Sequence, residues 1–158
     1  PNVRYVCDDA RTLSRIRPHS FDTVIFQFIL HHLVDRTKRK MIDNILCALR
    51  SARRCLKKGG RIVVVEITVM RPFEVIESLL YPFGAFLFGV MGKPTVGLLS
   101  NKTILDLMRT AGLADIGYER ILYGMRVDIF NGIRPGLIVV PGWMAPQKSY
   151  IFQGDNRS

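Results

Sequence analysis

The chain has 158 residues, 48% of them hydrophobic and 23% charged, with a mean hydropathy of +0.16. That length and apolar share suit one domain with its own core, and they exclude a disordered, fibrous or low-complexity chain. The formal net charge is +10, but ten of the 23 Lys and Arg residues fall in residues 35–61, against two of the 13 acidic ones. An excess confined to one segment reads as the solvated face of a helix, with an anionic membrane surface or nucleic acid as the functional alternatives.

Residues 3–7 form a short β-rich run, and residues 21–28 (FDTVIFQF) form a second, continuous enough to predict burial on both faces. Asp35 or Thr37 opens a helix whose apolar positions Met41, Ile42, Ile45, Leu46, Leu49, Ala52 and Leu56 recur at three and four residues. Gly59 and Gly60 are expected to stop it, and residues 61–67 (RIVVVEI) then read as a central strand. Between Glu77 and Lys93 lies an uncharged run, SLLYPFGAFLFGVMG, broken by Pro82, Gly84 and Gly89. It is too short for a spanning helix of roughly 20 residues. A buried helical hairpin is one reading, and a lid over an apolar substrate or an interfacial segment the other. Residues 101–111 read as a helix closed by Gly112, residues 116–123 and 125–130 as late strands, and 136–141 as a last short one. The polar stretch 147–158 is expected to fray as a tail behind a domain at 1–146, with the apolar insert at about 68–99.

Strands alternating with covering helices place ligands at the carboxyl ends of parallel strands. Three such ends carry polar residues. Asp8-Asp9-Ala10 follows the first run, where a carboxylate can accept from an adenine amino group or a ribose, or simply cap a turn. Gln27 to Leu33 follows the second and contains His31 and His32. Neighbouring histidines diverge on either a strand or a helix, and no carboxylate or cysteine stands at ligand spacing, so no metal site is expected. Glu66 closes the third, where it can hold a polar substrate or a neighbouring loop. Cys47 and Cys55 fall on the apolar side of the helix and read as core. With Cys7 they form no CxxC spacing and no disulfide framework, which predicts a reducing, cytoplasmic setting. No GxSxG, Walker, HExxH or GxGxxG motif is present.

In order and spacing, VRYVCDDARTLS, FDTVIFQFILHHL, the helix ending ALRSARRCLKKGGRIVVVE and the later LLSNKTILDLMRTAGLADIGYERILYG resemble the class I S-adenosylmethionine-dependent methyltransferases. The resemblance covers residues 3–124. It implies an α/β fold with a Rossmann-like methyltransferase sheet, mostly parallel with a late antiparallel strand, in the family order 3-2-1-4-5-7-6. It also implies S-adenosyl-L-methionine as cofactor, met at its adenine by Asp9 and Ala10 and beside its methionine portion by Gln27, with Ile29 to His32 bordering the transfer site. His31 or His32 is then the candidate base, with Tyr81 and Tyr123 behind them. The family's glycine-rich loop and first two strand–helix units have no counterpart here, so an N-terminally truncated sheet with an exposed hydrophobic edge at residues 24–28 is expected.

The apolar insert is similar to that of family members acting on small or lipid-like acceptors. The expected partners are therefore a small-molecule acceptor, a membrane surface met through residues 78–92, and a second copy covering the sheet edge. Nucleic acid is not expected, because no aromatic residues interleave the basic run. The alternative to an enzyme is a non-catalytic remnant of the same scaffold used as a binding module.

Overall fold

The computed structural model describes residues 5–92, 95–121 and 148–155. Strand β1 (Phe21–Gln27) leads through a 3-10 turn (Leu30–His32) to helix α1 (Lys38–Cys55) and strand β2 (Leu56–Thr68). Helix α2 (Arg71–Val90), helix α3 (Asn101–Thr110), strand β3 (Ala114–Ile121) and strand β4 (Lys148–Asp155) complete the order. The sheet runs β1-β2-β4-β3, with β1 and β2 parallel and both pairings of β4 antiparallel. This is the 4-5-7-6 half of the expected seven-strand order.

Helix α1 forms because its apolar stripe matches the helical period and because Thr37 caps it, its hydroxyl accepting from the Lys40 N–H at 3.3 Å. Met41, Ile45, Ala48, Leu49 and Ala52 are fully buried, and they pack with Ile104 and Met108 of α3 against Phe26, Ile62 and Val64 of the sheet. Alternation along β2 turns Ile62, Val64, Glu66 and Thr68 to this packed side. The opposite side of β1 stays open, with Ile25 and Phe21 exposed.

Several expectations are corrected. Residues 5–7 lie outside any strand, and Tyr5 is exposed, because among the described residues no strand lies on the far side of β1 to pair with them. For the same reason β1 is an edge strand in which only Phe26 is buried, not one covered on both faces. Helix α1 ends at Cys55, before Gly59 and Gly60, and β2 begins at Leu56. Cys55 is buried as expected, whereas Cys47 points to solvent. The apolar insert is a single helix running through Pro82 rather than a hairpin, and most of it is exposed. Residues 148–155, read as part of a fraying tail, form β4 between two other strands. The apolar run Tyr150-Ile151-Phe152 within polar flanks is a strand signal that composition alone concealed. The strands expected at 125–130 and 136–141, and Tyr123, lie outside the described residues.

Candidate functional site

The parallel pair directs its carboxyl ends to the turn that follows β1. There Phe28 takes a positive φ of 53°, while its N–H continues the ladder to the Val65 carbonyl at 2.9 Å. The chain then folds into the 3-10 turn, whose Leu30 is fully buried in the core.

What holds this turn is Glu66. Strand alternation places its carboxylate on the packed side, where it is fully buried. It accepts from the Leu30 N–H at 2.9 Å, the His31 N–H at 3.4 Å, its neighbour Ile67 N–H at 3.0 Å and His31 Nδ1 at 2.5 Å. A buried carboxylate is tolerated when its lone pairs are filled in this way. Because a carboxylate only accepts, Nδ1 of His31 carries the hydrogen and, in the neutral ring, Nε2 keeps its lone pair. The His31 side chain is 17% exposed, so it is mostly but not wholly enclosed. Its carbonyl accepts from the Gly97 N–H at 3.0 Å. The His32 ring lies 4.1 Å from that of His31, tilted by 47°, and is itself exposed. Of the two histidines, therefore, His31 is the one fixed by a carboxylate.

Gln27, exposed at the end of β1, and Ile29, 37% exposed, border the same turn. Asp9 and Ala10 lie on a separate loop. Asp8 organises it by accepting from the Arg15 N–H at 2.6 Å and the Ser14 hydroxyl at 3.1 Å. Both oxygens of Asp9 are held by the Arg11 side chain. Those bonds, then the Arg11 N–H, draw the Asp9 carboxyl down to about 2. The loop is tied to α1 by Ser51, whose hydroxyl donates to the Arg11 carbonyl at 2.7 Å, and by Arg54, which donates to the carbonyl of Leu13 at 2.8 Å and those of Thr12 and Ile16 at 3.3 Å. Part of the basic segment thus binds this chain's own main chain.

Tyr81, the weaker base candidate, is buried, and its hydroxyl donates to the Asp35 carbonyl at 3.1 Å. Burial also pushes its pKa up. It is a structural anchor, which removes it from the candidates for proton transfer. A cavity of about 400 Å³ lies between Val34 and Arg36 after the turn and Pro82, Ala85 and Phe86 of α2. Among the described residues no group of three or more His, Cys, Asp or Glu side chains could hold a metal ion. Sequence reasoning singled out Glu66 but left open whether it held substrate or loop. The alternation Ile62, Val64, Glu66 already marked it as an acid on a packed face.

A family model described as a methyltransferase domain matches residues 1–64. The chain is 29% identical over 143 residues to the ubiquinone/menaquinone biosynthesis C-methyltransferase UbiE of Klebsiella pneumoniae, covering 78% of this chain and 51% of that protein. It is 27% identical over 139 residues to the UbiE protein of Idiomarina loihiensis, with the same coverage. The chain thus spans about half the length of the curated relatives it matches. Among solved structures, an S-adenosylmethionine-dependent methyltransferase of Thermotoga maritima superposes with a TM-score of 0.55 at 19% identity, over 94% of this chain and 61% of that one. Another from Methanosarcina mazei gives 0.54 at 14% identity, over 95% and 65%. At these identities the likeness is one of fold.

Proposed function

We propose that the chain belongs to the class I S-adenosylmethionine-dependent methyltransferases, which the match of residues 1–64 and the shared fold support, and that it forms the acceptor side of an enzyme that methylates a small, apolar acceptor, with His31 taking the acceptor's proton. The observation that carries this reading is the Nδ1 contact of His31 with the buried Glu66 carboxylate. A neutral imidazole oriented by an acid through one nitrogen offers the other as a base near neutral pH. The relatives named for ubiquinone/menaquinone biosynthesis and carbon methylation support an acceptor methylated at carbon and related to those quinones. Such an acceptor would lose a proton as its carbon takes the methyl group, and His31 Nε2 would receive that proton; the bound methyl donor would keep the electron pair of its broken carbon–sulfur bond.

The donor set suits the cofactor on one side. Gln27 presents an exposed amide at the strand end, and Asp9 presents an ionised carboxylate, although an adenine amino group must share it with Arg11. Asp9, Ala10, Gln27 and Ile29 would hold S-adenosyl-L-methionine, which when bound supplies an electrophilic methyl group on a sulfonium. What these residues do is orient: alignment of acceptor and methyl donor is the main source of rate in an in-line displacement. The cavity beside α2 is the candidate place for an apolar acceptor. The remaining partner in this reading is a membrane surface met through residues 78–92. Of the ten basic residues at 35–61, Lys38 and Arg54 bind within the chain.

Calorimetry with S-adenosylhomocysteine tests the cofactor part: binding by the protein is expected to weaken in Asp9→Ala and Gln27→Ala. Transfer of labelled methyl to a short-chain hydroquinone tests the rest. His31→Ala is expected to lose about 10²–10⁴-fold in kcat while cofactor binding persists, and His32→Ala to stay near wild type. A His31→Ala enzyme of normal kcat overturns the assignment. Absence of cofactor binding by the wild type favours a non-catalytic scaffold.

A further inference from the structure

Helix α2 is built inside out. A helix on the surface of a soluble protein turns its apolar stripe to the core and its polar side to water. Here the side that docks is polar. The Glu74 carboxylate accepts from the Thr103 hydroxyl at 2.8 Å, Glu77 from the Lys38 ammonium at 2.6 Å, and the Tyr81 hydroxyl donates to Asp35. Lys38 also donates to the Leu98 carbonyl at 2.6 Å, which ties helix, turn and following segment together. Facing away are Phe73, Val75, Ile76, Leu79, Leu80 and Phe83, with Phe86, Leu87 and Val90 further along, all exposed; Leu79 is 77% exposed and Phe86 70%. At 100° per residue the docked side covers roughly 100° of arc and the outward apolar side roughly 160°.

By length and composition the helix could cross a membrane, with a mean hydropathy of 1.4 in its most apolar window. Its polar ties at Glu74, Glu77 and Tyr81 hold one side of it against the domain, which favours lying along a bilayer over crossing one. We propose that α2 is a membrane-surface helix, lying in the interfacial plane of an anionic bilayer with the rest of the domain held above it by Glu74, Glu77 and Tyr81. Two observations select lipid over a protein partner. The outward arc offers no hydrogen-bonding side chain across more than four turns, whereas a protein interface carries about one hydrogen bond per 100–200 Å² and a polar rim. Both acids of the helix are turned inward and bonded, which leaves Arg71 as its exposed charge, a sign that suits anionic headgroups. The inference extends the membrane partner named above. It stands apart from methyl transfer, because its test needs neither cofactor nor acceptor.

The test is flotation of the full chain with vesicles of equal parts phosphatidylcholine and phosphatidylglycerol, beside sedimentation velocity without lipid. The wild type is expected to float with the vesicles. The double substitution Leu79→Glu with Phe83→Glu, at two exposed positions, is expected to cut partitioning at least about tenfold while the far-UV circular dichroism stays unchanged. Arg71→Glu is expected to weaken binding to these vesicles and not to pure phosphatidylcholine. A wild type that stays out of the vesicles, or a double variant that floats equally well, overturns the proposal. So does a lipid-free dimer that the double substitution dissociates, because that outcome assigns the arc to a second copy.

Discussion

Gly97 offers the sharpest test of how the segment after α2 is packed. A Cβ built on it falls 2.1 Å from both Sδ and Cε of Met41. Ordinary carbon contacts sit near 3.5–4.0 Å, so in Gly97→Ala the thioether end must retreat by about 1.5 Å. Met41 is fully buried in the main cluster, so the flexible end of its side chain has to shift among packed neighbours. Overpacking of this kind costs about 1–3 kcal/mol. Met41→Ala alone should cost about 2–5 kcal/mol through lost burial and the cavity left behind. In the double variant the new methyl enters that cavity, so the two costs should fall short of their sum by about 1 kcal/mol or more. Urea unfolding followed by far-UV circular dichroism measures all four corners of the cycle. Because the Gly97 N–H donates to the His31 carbonyl, the His31 amide resonance should also shift in Gly97→Ala. A Gly97→Ala protein as stable as wild type, with strictly additive behaviour in the double variant, would refute the close approach.

The remaining expectations concern caps, charge and core. Thr37→Ala and Ser100→Ala each remove a hydroxyl that accepts a first-turn N–H at 3.3 Å, and each should cost about 1 kcal/mol in denaturant unfolding; loss from neither would show the caps to be idle. Arg11→Ala should raise the Asp9 carboxyl from about 2 most of the way toward its ordinary value, since the Arg11 main-chain N–H still donates. Carbon-13 titration of the carboxyl reads this directly. The sign follows from the depressed folded-state value: the Asp9–Arg11 contribution is whole above the unfolded pKa of about 3.9 and disappears as pH falls through about 2. Leu49→Ala, fully buried between α1 and the sheet, should lower stability by about 2–5 kcal/mol, and a change under about 1 kcal/mol would contradict its place in the core.

Much of the parallel pair was legible beforehand because its signals are local. The three-and-four spacing from Met41 to Ala52 and the run from Ile62 to Ile67 announce α1 and β2 whatever surrounds them. The turn with Gln27, Ile29, His31 and His32 falls where a strand end puts it. Burial was not legible, because it depends on neighbours: Ile25 is as apolar as Ile62, yet it faces outward on an edge strand. The orientation of α2 was hidden for a related reason. Composition reports that the segment is apolar, but only the bonds of Glu74, Glu77 and Tyr81 reveal which side docks. The link between Glu66 and His31, 35 residues apart, needed the register of β1 against β2 to bring it about.

The place of β4 has a consequence for assembly in time. It follows β3 along the chain, yet it lies inside the described sheet, paired to β2 over residues 61–68 and to β3 on its other side. Until it arrives, β3 has no partner in the described sheet, and the β1–β2 pair ends in an unprotected edge along Val63, Val64 and Val65. Domains made amino-terminus first usually gain contacts steadily as they emerge. Here β4 acts as a keystone, so a chain stalled or clipped before residue 148 is left with a sticky valine edge, and closure of the described sheet waits on residues 148–155.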